Sequence, residues 1–209
     1  MKNIAFAVMR MQPSHKGHFR LIAKMLEEND IVIIGLGSAQ ISGTFDNPFS
    51  INERIEILKL LFGQGAIGKN GKIKIVSIDD IGAVKPVDWV NHCFDKIISN
   101  GLELPNRYYS GSLADSMWYK DYEKRKPMNE TNFGGYEVDL KEELKYNVEL
   151  EIKILDRYTE SINMSGTEIR KDIANGFDSW KKEVPACLHN YIIEKFPKKF
   201  QLNEILKNK

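Results

Sequence analysis

The chain has 209 residues, of which 42% are hydrophobic and 28% charged, a composition typical of a globular protein. Its 30 basic and 29 acidic side chains give a net charge of +1, which argues against a nucleic-acid partner. The N-terminal apolar run is too short for a signal peptide, and no run reaches transmembrane length, so we expect a cytoplasmic protein without a membrane partner. Cys93 and Cys187 are too isolated in the sequence to indicate a zinc site or a disulfide framework.

The first half of the chain alternates apolar runs with amphipathic stretches. A short apolar run predicts a buried strand at 4–9, a run rich in β-branched residues predicts a strand at 31–36, and alternation predicts a strand at 73–78. Apolar residues at helical spacing predict helices at 17–28, from a cap at Ser50 or Asn52 to just before Gly63, and at 87–98. The stretch 38–49 is polar and predicts a loop.

The second half continues the alternation. It predicts strands at 106–110 and 150–155, and helices from about 113, at 167–175 and at 185–196. Ser165 caps the helix at 167–175 and Gly176 ends it, while the polar stretch at about 126–149 predicts an excursion. Five strand–helix alternations predict an α/β fold, namely a Rossmann-like, doubly wound parallel sheet of about five strands with a C-terminal helical extension. We expect a single domain over residues 1–209.

One glycine-rich stretch, 63–69, matches the sequence pattern of a phosphate-binding loop but not its structural context. It fits the pattern GxGxxG and nearly fits GxxxxGK, but Asn70 stands where a P-loop has Ser or Thr. A predicted helix precedes it and a strand follows, whereas both phosphate loops need a strand followed by a helix. We therefore interpret it as a turn.

The stretch from Arg10 to His18 has the correct context for a phosphate site, because it joins the first strand to the first helix. A helix N-terminus presents free N–H groups and partial positive charge to anions, and Gly17 allows close approach of the backbone. His15 and His18 are three residues apart, so both can donate to phosphoryl oxygens. The alternative is a capped helix start with solvent-facing histidines.

A second stretch, 165–170, also follows a predicted strand and opens a helix. Its small hydroxyl residues and backbone N–H groups predict another anion site, to which Arg170 adds a bidentate guanidinium. Taken alone it is a good capping sequence, but two such stretches in one chain favour a shared phosphate site.

These residues carry a resemblance to a known family. The stretch RMQPSHKGH at 10–18, GSAQ at 37–40, NPFS at 47–50 with Glu53 and Arg54, and SGTEIR at 165–170 resemble the HxGH nucleotidyltransferase superfamily, whose domain is cytidylyltransferase-like. In their order they are most similar to the archaeal-type nicotinamide-nucleotide adenylyltransferases, over residues 4 to about 193. Met9 differs from the glycine that usually precedes the arginine of the first motif.

The resemblance implies an enzyme of NAD biosynthesis, in which the 5′-phosphate of nicotinamide mononucleotide (NMN) attacks the α-phosphorus of ATP and pyrophosphate leaves. It implies Mg²⁺ bound mainly through the phosphates of ATP, with no metal site made by the protein. By the same resemblance the catalytic residues are His15, His18 and Arg170. The expected ATP-binding residues are Arg10, Lys16, Gly17, Arg54, Ser110, Gly111, Ser165, Thr167 and Ile169.

The resemblance also implies an acceptor pocket and small-molecule partners only, with homo-oligomeric assembly as in the family. Trp89 is the expected stacking partner of the charged pyridinium, and Asp80 is expected near the carboxamide or ribose. The other expected NMN-binding residues are Ser38, Gln40 and Asn47. The alternative for Trp89 is a core residue on a helix face, and we assign Trp118 and Trp180 to the scaffold.

Two other functions remain open. Within the superfamily the acceptor could be nicotinate mononucleotide or phosphopantetheine, whereas a cytidylyltransferase is disfavoured by the SGTEIR ending. From another class, a non-catalytic nucleotide sensor would keep the pocket without transferring anything. The presence of both histidines and three arginines argues against a sensor.

Overall fold

The central element is a parallel sheet of five strands in the order β3-β2-β1-β4-β5. The computed structural model describes residues 2–82, 85–123, 144–155 and 165–202. The strands are β1 (Ile4–Met9), β2 (Ile31–Leu36), β3 (Ile73–Ser77), β4 (Arg107–Ser110) and β5 (Glu151–Ile154). The predicted α/β fold with a five-stranded, doubly wound sheet is confirmed.

Helices connect the strands and follow the last one. They are α1 (Lys16–Glu28), α2 (Ile51–Phe62), α3 (Pro86–Ser99), α4 (Leu113–Ser116), α5 (Gly166–Asn175) and α6 (His189–Lys195). Ser50 caps α2 and Ser165 caps α5, each in a capping box, and Gly176 ends α5 in the left-handed conformation, as predicted. None of the helices in the described ranges is long and apolar enough to cross a membrane.

Two predicted helices are only partly α-helical. The helix predicted from residue 113 has one α-helical turn and then continues as a 3-10 helix, Met117–Tyr122. The helix predicted at 185–196 begins with a 3-10 turn, Ala186–Leu188, and is α-helical only from His189. The glycine-rich stretch 63–69 contains a short 3-10 helix, Gln64–Ala66, between α2 and β3, and is a turn as predicted.

The two faces of the sheet carry two apolar cores. Side chains of β1 alternate between them, because successive residues of a strand point to opposite faces. Ala5, Ala7 and Met9 face a core shared with α1, α2, α5 and α6, while Ile4 and Phe6 face a core formed with α3 and the Met117–Tyr122 helix. Met9, 7% exposed, is therefore a core residue.

The chain reverses its direction of winding between β1 and β4. From β1 it adds β2 and β3 on one side, and it then returns to place β4 and β5 on the other. In sheets of this type ligands bind at the carboxyl ends of the strands at such a switch point. Most of the predicted excursion at 126–149 lies outside the described residues. The single domain over 1–209 remains a prediction.

The C-terminal region packs against the start of α1 and α2. The backbone N–H of Lys16 donates to the carbonyl of Glu183 at 2.8 Å. Phe196 is buried and lies edge-on to Phe49, just before α2, with ring centroids 6.4 Å apart. The helical extension therefore supports the segment that joins β1 to α1.

Candidate active site

A cleft of about 680 Å³ opens at the carboxyl ends of the strands, at the switch point between β1 and β4. The segment after β1, the starts of α1 and α5, and the turns that follow β2 and β4 form its walls. Its lining includes seven arginine, histidine and aspartate side chains: Arg10, His15, His18, Arg20, Asp80, Asp115 and Arg170.

At the start of α1 the two histidines form a capping box with each other. His15 is the N-cap, and its Nδ1 accepts from the N–H of Gly17 at 3.1 Å. The N–H of His15 donates to Nδ1 of His18 at 3.3 Å, and the two rings lie 3.9 Å apart. A ring nitrogen that accepts an N–H bond carries no proton, so each neutral imidazole holds its proton on Nε2. The helix cap thus determines which nitrogen of each ring can donate.

The backbone around this segment adopts unusual conformations. Met11 and Ser38, which follow β1 and β2, have φ angles of 52° and 49°, in the left-handed region that side chains disfavour. Both residues line the cleft, and the Met11 side chain is fully buried in the core. Such backbone strain persists where surrounding contacts fix it and is common at functional sites.

Arg54 supplies those contacts. Its Nη1 donates to the carbonyls of Arg10 at 2.9 Å and Gly37 at 2.7 Å, and its Nη2 donates to Ser38 at 3.4 Å. The side chain is fully buried, and burial lowers its pKa to about 10, with the charge of Asp80 opposing the shift. The guanidinium lies under the cleft and binds the two turns of the cleft floor, so contact of Arg54 with ATP stays a prediction that these bonds do not support.

Gln12 connects the same segment to two other elements. Its side-chain amide donates to the carbonyl of Phe49 at 2.8 Å and accepts from the N–H of Phe49 at 2.9 Å. Its backbone carbonyl accepts from Nη1 of Arg170 at 2.7 Å. The β1–α1 segment is therefore bound both to the start of α2 and to α5.

The start of α5 forms the second helix N-terminus at the cleft. The hydroxyl of Ser165 accepts from the N–H of Glu168, and the carboxylate of Glu168 accepts from the N–H of Ser165. The cap therefore does not use the side chains of Thr167 and Arg170, which also line the cleft. Arg170 donates from Nη2 to Asp46 at 2.9 Å and to Thr167 at 3.1 Å. Burial lowers the pKa of Arg170, the bond to Asp46 opposes this, and the charge of Arg10 adds to the lowering.

The opposite wall contains aromatic side chains. Trp89, on the first turn of α3, is half-buried and lines the cleft. Gln40 donates to the Asp80 carbonyl at 3.2 Å and accepts from its N–H at 3.0 Å, which places Asp80 at the rim. Trp118, assigned to the scaffold from the sequence, is 40% exposed and also lines the cleft, whereas Trp180 is buried.

The cleft brings together most of the predicted site residues. Those that line it are Arg10, His15, Gly17, His18, Ser38, Asp80, Trp89, Gly111, Ser165, Thr167 and Arg170. Those outside its lining are Lys16, Arg54, Ser110, Ile169, Gln40 and Asn47.

The surroundings of four of these residues show where their side chains lie instead. Lys16 is exposed away from the cleft, and Ile169 is a fully buried core residue. The hydroxyl of Ser110 accepts from the N–H of Ser112 at 3.1 Å and donates to its carbonyl, so it shapes the turn after β4. Asn47 is 7% exposed and lies in the turn that contains Asp46.

Comparison with known proteins gives one family model and several relatives. The model described as cytidylyltransferase-like matches residues 7–101. The nicotinamide-nucleotide adenylyltransferase of Picrophilus torridus is 31% identical over 91% of this chain and 90% of that protein. The enzyme of the same name from Methanococcus vannielii is 32% identical over 91% of this chain and 88% of that protein.

Solved structures share the fold at lower identity. A bifunctional NMN adenylyltransferase/ADP ribose pyrophosphatase from Francisella tularensis, complexed with AMP and a manganese ion, has a TM-score of 0.66 at 18% identity. The match covers all of this chain and 53% of that one, so this chain spans about half of its length. A nicotinic acid mononucleotide adenylyltransferase from Plasmodium falciparum has a TM-score of 0.54 at 13% identity, over 93% of this chain and 96% of that one.

Proposed function

The chain belongs to the family of nicotinamide-nucleotide adenylyltransferases, and from that premise we propose that it joins NMN to ATP, forming NAD and releasing pyrophosphate. The observation that carries the proposal is the meeting of two helix N-termini, one with His15 and His18 and one with Arg170, at a single cleft. Such a cleft can hold several phosphate groups at once.

The reaction needs positioning and charge stabilisation more than proton transfer. The attacking 5′-phosphate of NMN is already an anion, so no general base is required. The bond from this oxygen to the α-phosphorus of ATP forms as the bond to the β-phosphate oxygen breaks, and pyrophosphate leaves with the electron pair. Donors placed where negative charge develops are the main source of rate in such a transfer.

We assign the α-phosphoryl group to the histidines. Both Nδ1 atoms accept backbone N–H bonds, so each neutral ring carries its proton on Nε2 and can donate it to a phosphate oxygen. His18 is assigned nearest to the α-phosphorus and His15 next to it. Since the capping bonds orient both rings, the donors need little rearrangement when ATP binds.

We assign the β- and γ-phosphates, and then the leaving pyrophosphate, to Arg10 and Arg170. Both line the cleft, and their charges are close enough to influence each other. The backbone N–H groups of Gly166 and Thr167 would add the partial positive charge of α5. Arg54 acts through the backbone that it binds and is a positioning residue.

We assign the nicotinamide ring to the wall formed by Trp89, with Asp80 at its rim. A carboxylate there favours the neutral carboxamide of NMN over the carboxylate of nicotinate mononucleotide, because the latter would be repelled. This charge is our reason to prefer NMN as the acceptor. Cytoplasmic location and homo-oligomeric assembly remain predictions.

Mg²⁺ fits the site as an ion that enters with ATP. Within the described ranges no three His, Cys, Asp or Glu side chains are grouped so as to hold a metal, so the phosphates would supply most ligands. When bound, the ion would neutralise phosphate charge. Asp80 and Asp115 are the carboxylates in the cleft lining that could contact its water ligands.

The test is to incubate the protein with ATP, Mg²⁺ and each acceptor in turn, and to measure pyrophosphate and dinucleotide. We expect NAD from NMN at a higher kcat/KM than for nicotinate mononucleotide, and no product with phosphopantetheine. ATP binding without any transfer would support a nucleotide sensor and contradict the proposal.

A variant tests the acceptor pocket. Trp89→Ala should weaken NMN binding far more than ATP binding, because stacking on a charged pyridinium is lost, at about 1–2 kcal/mol. Trp89→Phe, which keeps an aromatic ring, is the matched control and should retain most of the affinity. Equal weakening of NMN and ATP in calorimetric titrations would contradict the assignment.

A further inference from the structure

The guanidinium of Arg170 already binds an anion of the chain itself. Its Nη2 donates to Oδ1 of Asp46 at 2.9 Å, where the Arg170 side chain is 3% exposed and the Asp46 side chain 71%. We infer that Asp46 is an affinity-determining residue: its carboxylate takes the place of a phosphate oxygen on Arg170 and so weakens the binding of ATP and of pyrophosphate. This inference rests on the proposed function only in naming those two ligands.

The first argument is a count of donors. A guanidinium binds a phosphate with two parallel N–H bonds either end-on, through Nη1 and Nη2, or side-on, through Nε and Nη2. Both modes need Nη2, and both of its protons are used here, one by Asp46 and one by Thr167. Nε is buried and has no hydrogen-bond partner among the described residues. Bidentate phosphate binding therefore requires that Asp46 or Thr167 give up its bond.

The second argument identifies Asp46 as the group that leaves. Within the described part of the chain its carboxylate has no hydrogen bond except the one to Arg170, and most of it is in contact with solvent. An exposed carboxylate regains its hydration at little cost when its partner is taken away. Thr167, by contrast, lies in the first turn of α5 and lines the cleft itself.

The position of Asp46 is set by its own turn. The N–H of Asn47 donates to the hydroxyl of Thr44 at 3.0 Å, and the N–H of Thr44 donates to the carbonyl of Asn47. Phe45 in the same turn lies against the Arg170 guanidinium at 5.8 Å. Because these contacts do not involve the Asp46 side chain, the turn can remain in place while the carboxylate moves away.

The third argument is electrostatic. ATP and pyrophosphate are polyanions, and Arg10 and Arg170 are the arginines that line the cleft near each other. A carboxylate bonded to one of these guanidiniums cancels part of its attraction, and it repels a phosphate that shares the guanidinium. Displacement and repulsion both weaken anion binding. Removing the negative charge should therefore tighten binding, the reverse of the result for a residue that positions Arg170.

The experiment compares Asp46→Asn with the wild-type protein in calorimetric titrations of ATP and of inorganic pyrophosphate, both with Mg²⁺ and without acceptor. We expect both ligands to bind about three- to tenfold more tightly, the scale of one partly screened charge pair. Asp46→Glu, which keeps the charge, should differ from wild type by less than twofold. Asp178→Asn removes a carboxylate that pairs with Lys181 outside the cleft lining, and should change neither affinity.

In the steady state, Asp46→Asn should lower the KM for ATP and strengthen inhibition by pyrophosphate. Unchanged or weaker binding of ATP and pyrophosphate in Asp46→Asn would overturn the inference and assign Asp46 to positioning. Failure of the proposed function gives a different result: wild-type protein that binds ATP but makes no NAD. The shift caused by Asp46→Asn can still be measured in that case. Wild-type protein that binds neither ligand would overturn both.

Discussion

The N-termini of α1 and α5 open on the same cleft and are capped in the same way, yet they use their capping residues differently. In α1 the box is made by His15 and His18, the residues assigned to the transferred phosphoryl group. In α5 the box is made by Ser165 and Glu168, while the guanidinium assigned to phosphate belongs to Arg170 and is bound by other elements. Capping and chemistry coincide in the first helix and are separate in the second.

The difference has a physical consequence. Replacing either histidine of α1 by alanine removes the imidazole assigned to phosphate and a capping acceptor together, so stability and turnover should fall together. In α5 the cap and the guanidinium have different partners, so each should be removable alone. An alanine variant of His15 or His18 that loses only one of the two, or a variant of Glu168 or Arg170 that loses both, would contradict this comparison.

The largest effect is expected for His18→Ala. Losing one transition-state donor should lower turnover by about 10²–10³, and losing the cap acceptor should cost about 0.5–2 kcal/mol of unfolding free energy. His18→Gln is the control, because Gln at this position can complete a capping box but has no imidazole. We expect it to recover stability in urea denaturation but not turnover. Near-normal turnover in folded His18→Ala would refute the proposed role.

A smaller effect is expected for Arg170→Lys. The charge remains, but the bidentate bond is lost, so kcat/KM for ATP should fall by about 10- to 100-fold, the equivalent of one charge-assisted hydrogen bond. The cap of α5 is untouched, so the helical circular dichroism should not change. Lys171→Arg, the reverse exchange on the next, exposed residue, should be neutral. Loss of helical signal in Arg170→Lys would show that cap and guanidinium are coupled.

The smallest effect is expected for Glu168→Gln. Hydrogen bonds from Ser165 lower the pKa of Glu168 below its usual 4.5, so its charge stabilises the fold above that pH. The stabilisation is lost as the pH falls below 4.5 through the lowered pKa. The variant should cost less than about 1 kcal/mol near neutral pH, since the residue is exposed, and its deficit in urea denaturation should vanish in acid. Turnover within twofold of wild type is expected. A larger loss would show that the cap of α5 affects catalysis.

The fold could be predicted because its signals are local. β1 and β2 are short apolar runs, β3 and β5 alternate apolar with polar residues, and Ser165 and Gly176 mark the ends of α5 within the sequence itself. The start of α1 could be found for the same reason, since His15 and His18 cap their own helix. The helix predicted from residue 113 is mostly a 3-10 helix, which packs against α3. Apolar spacing alone did not distinguish the two helix types.

The roles of Arg54 and Asp46 could not be predicted, because their partners are far away in the sequence. Arg54 binds carbonyls up to 44 residues away, and the backbone carbonyl that a side chain will reach leaves no pattern of residue types. Asp46 and Arg170 are 124 residues apart. Trp118 did carry a signal, because it follows Ser112 and α4 at the carboxyl edge of β4, where site residues collect.

The hydrogen bond from Arg170 to the Gln12 carbonyl joins residues 158 positions apart, and it has a consequence for biosynthesis. The first half of the cleft leaves the ribosome early, but its partner helix follows most of the chain. Contacts of such long sequence separation form late, after the intervening segments have been arranged. A nascent chain should therefore be unable to retain ATP until α5 has emerged, so nucleotide capture would report completion of the fold.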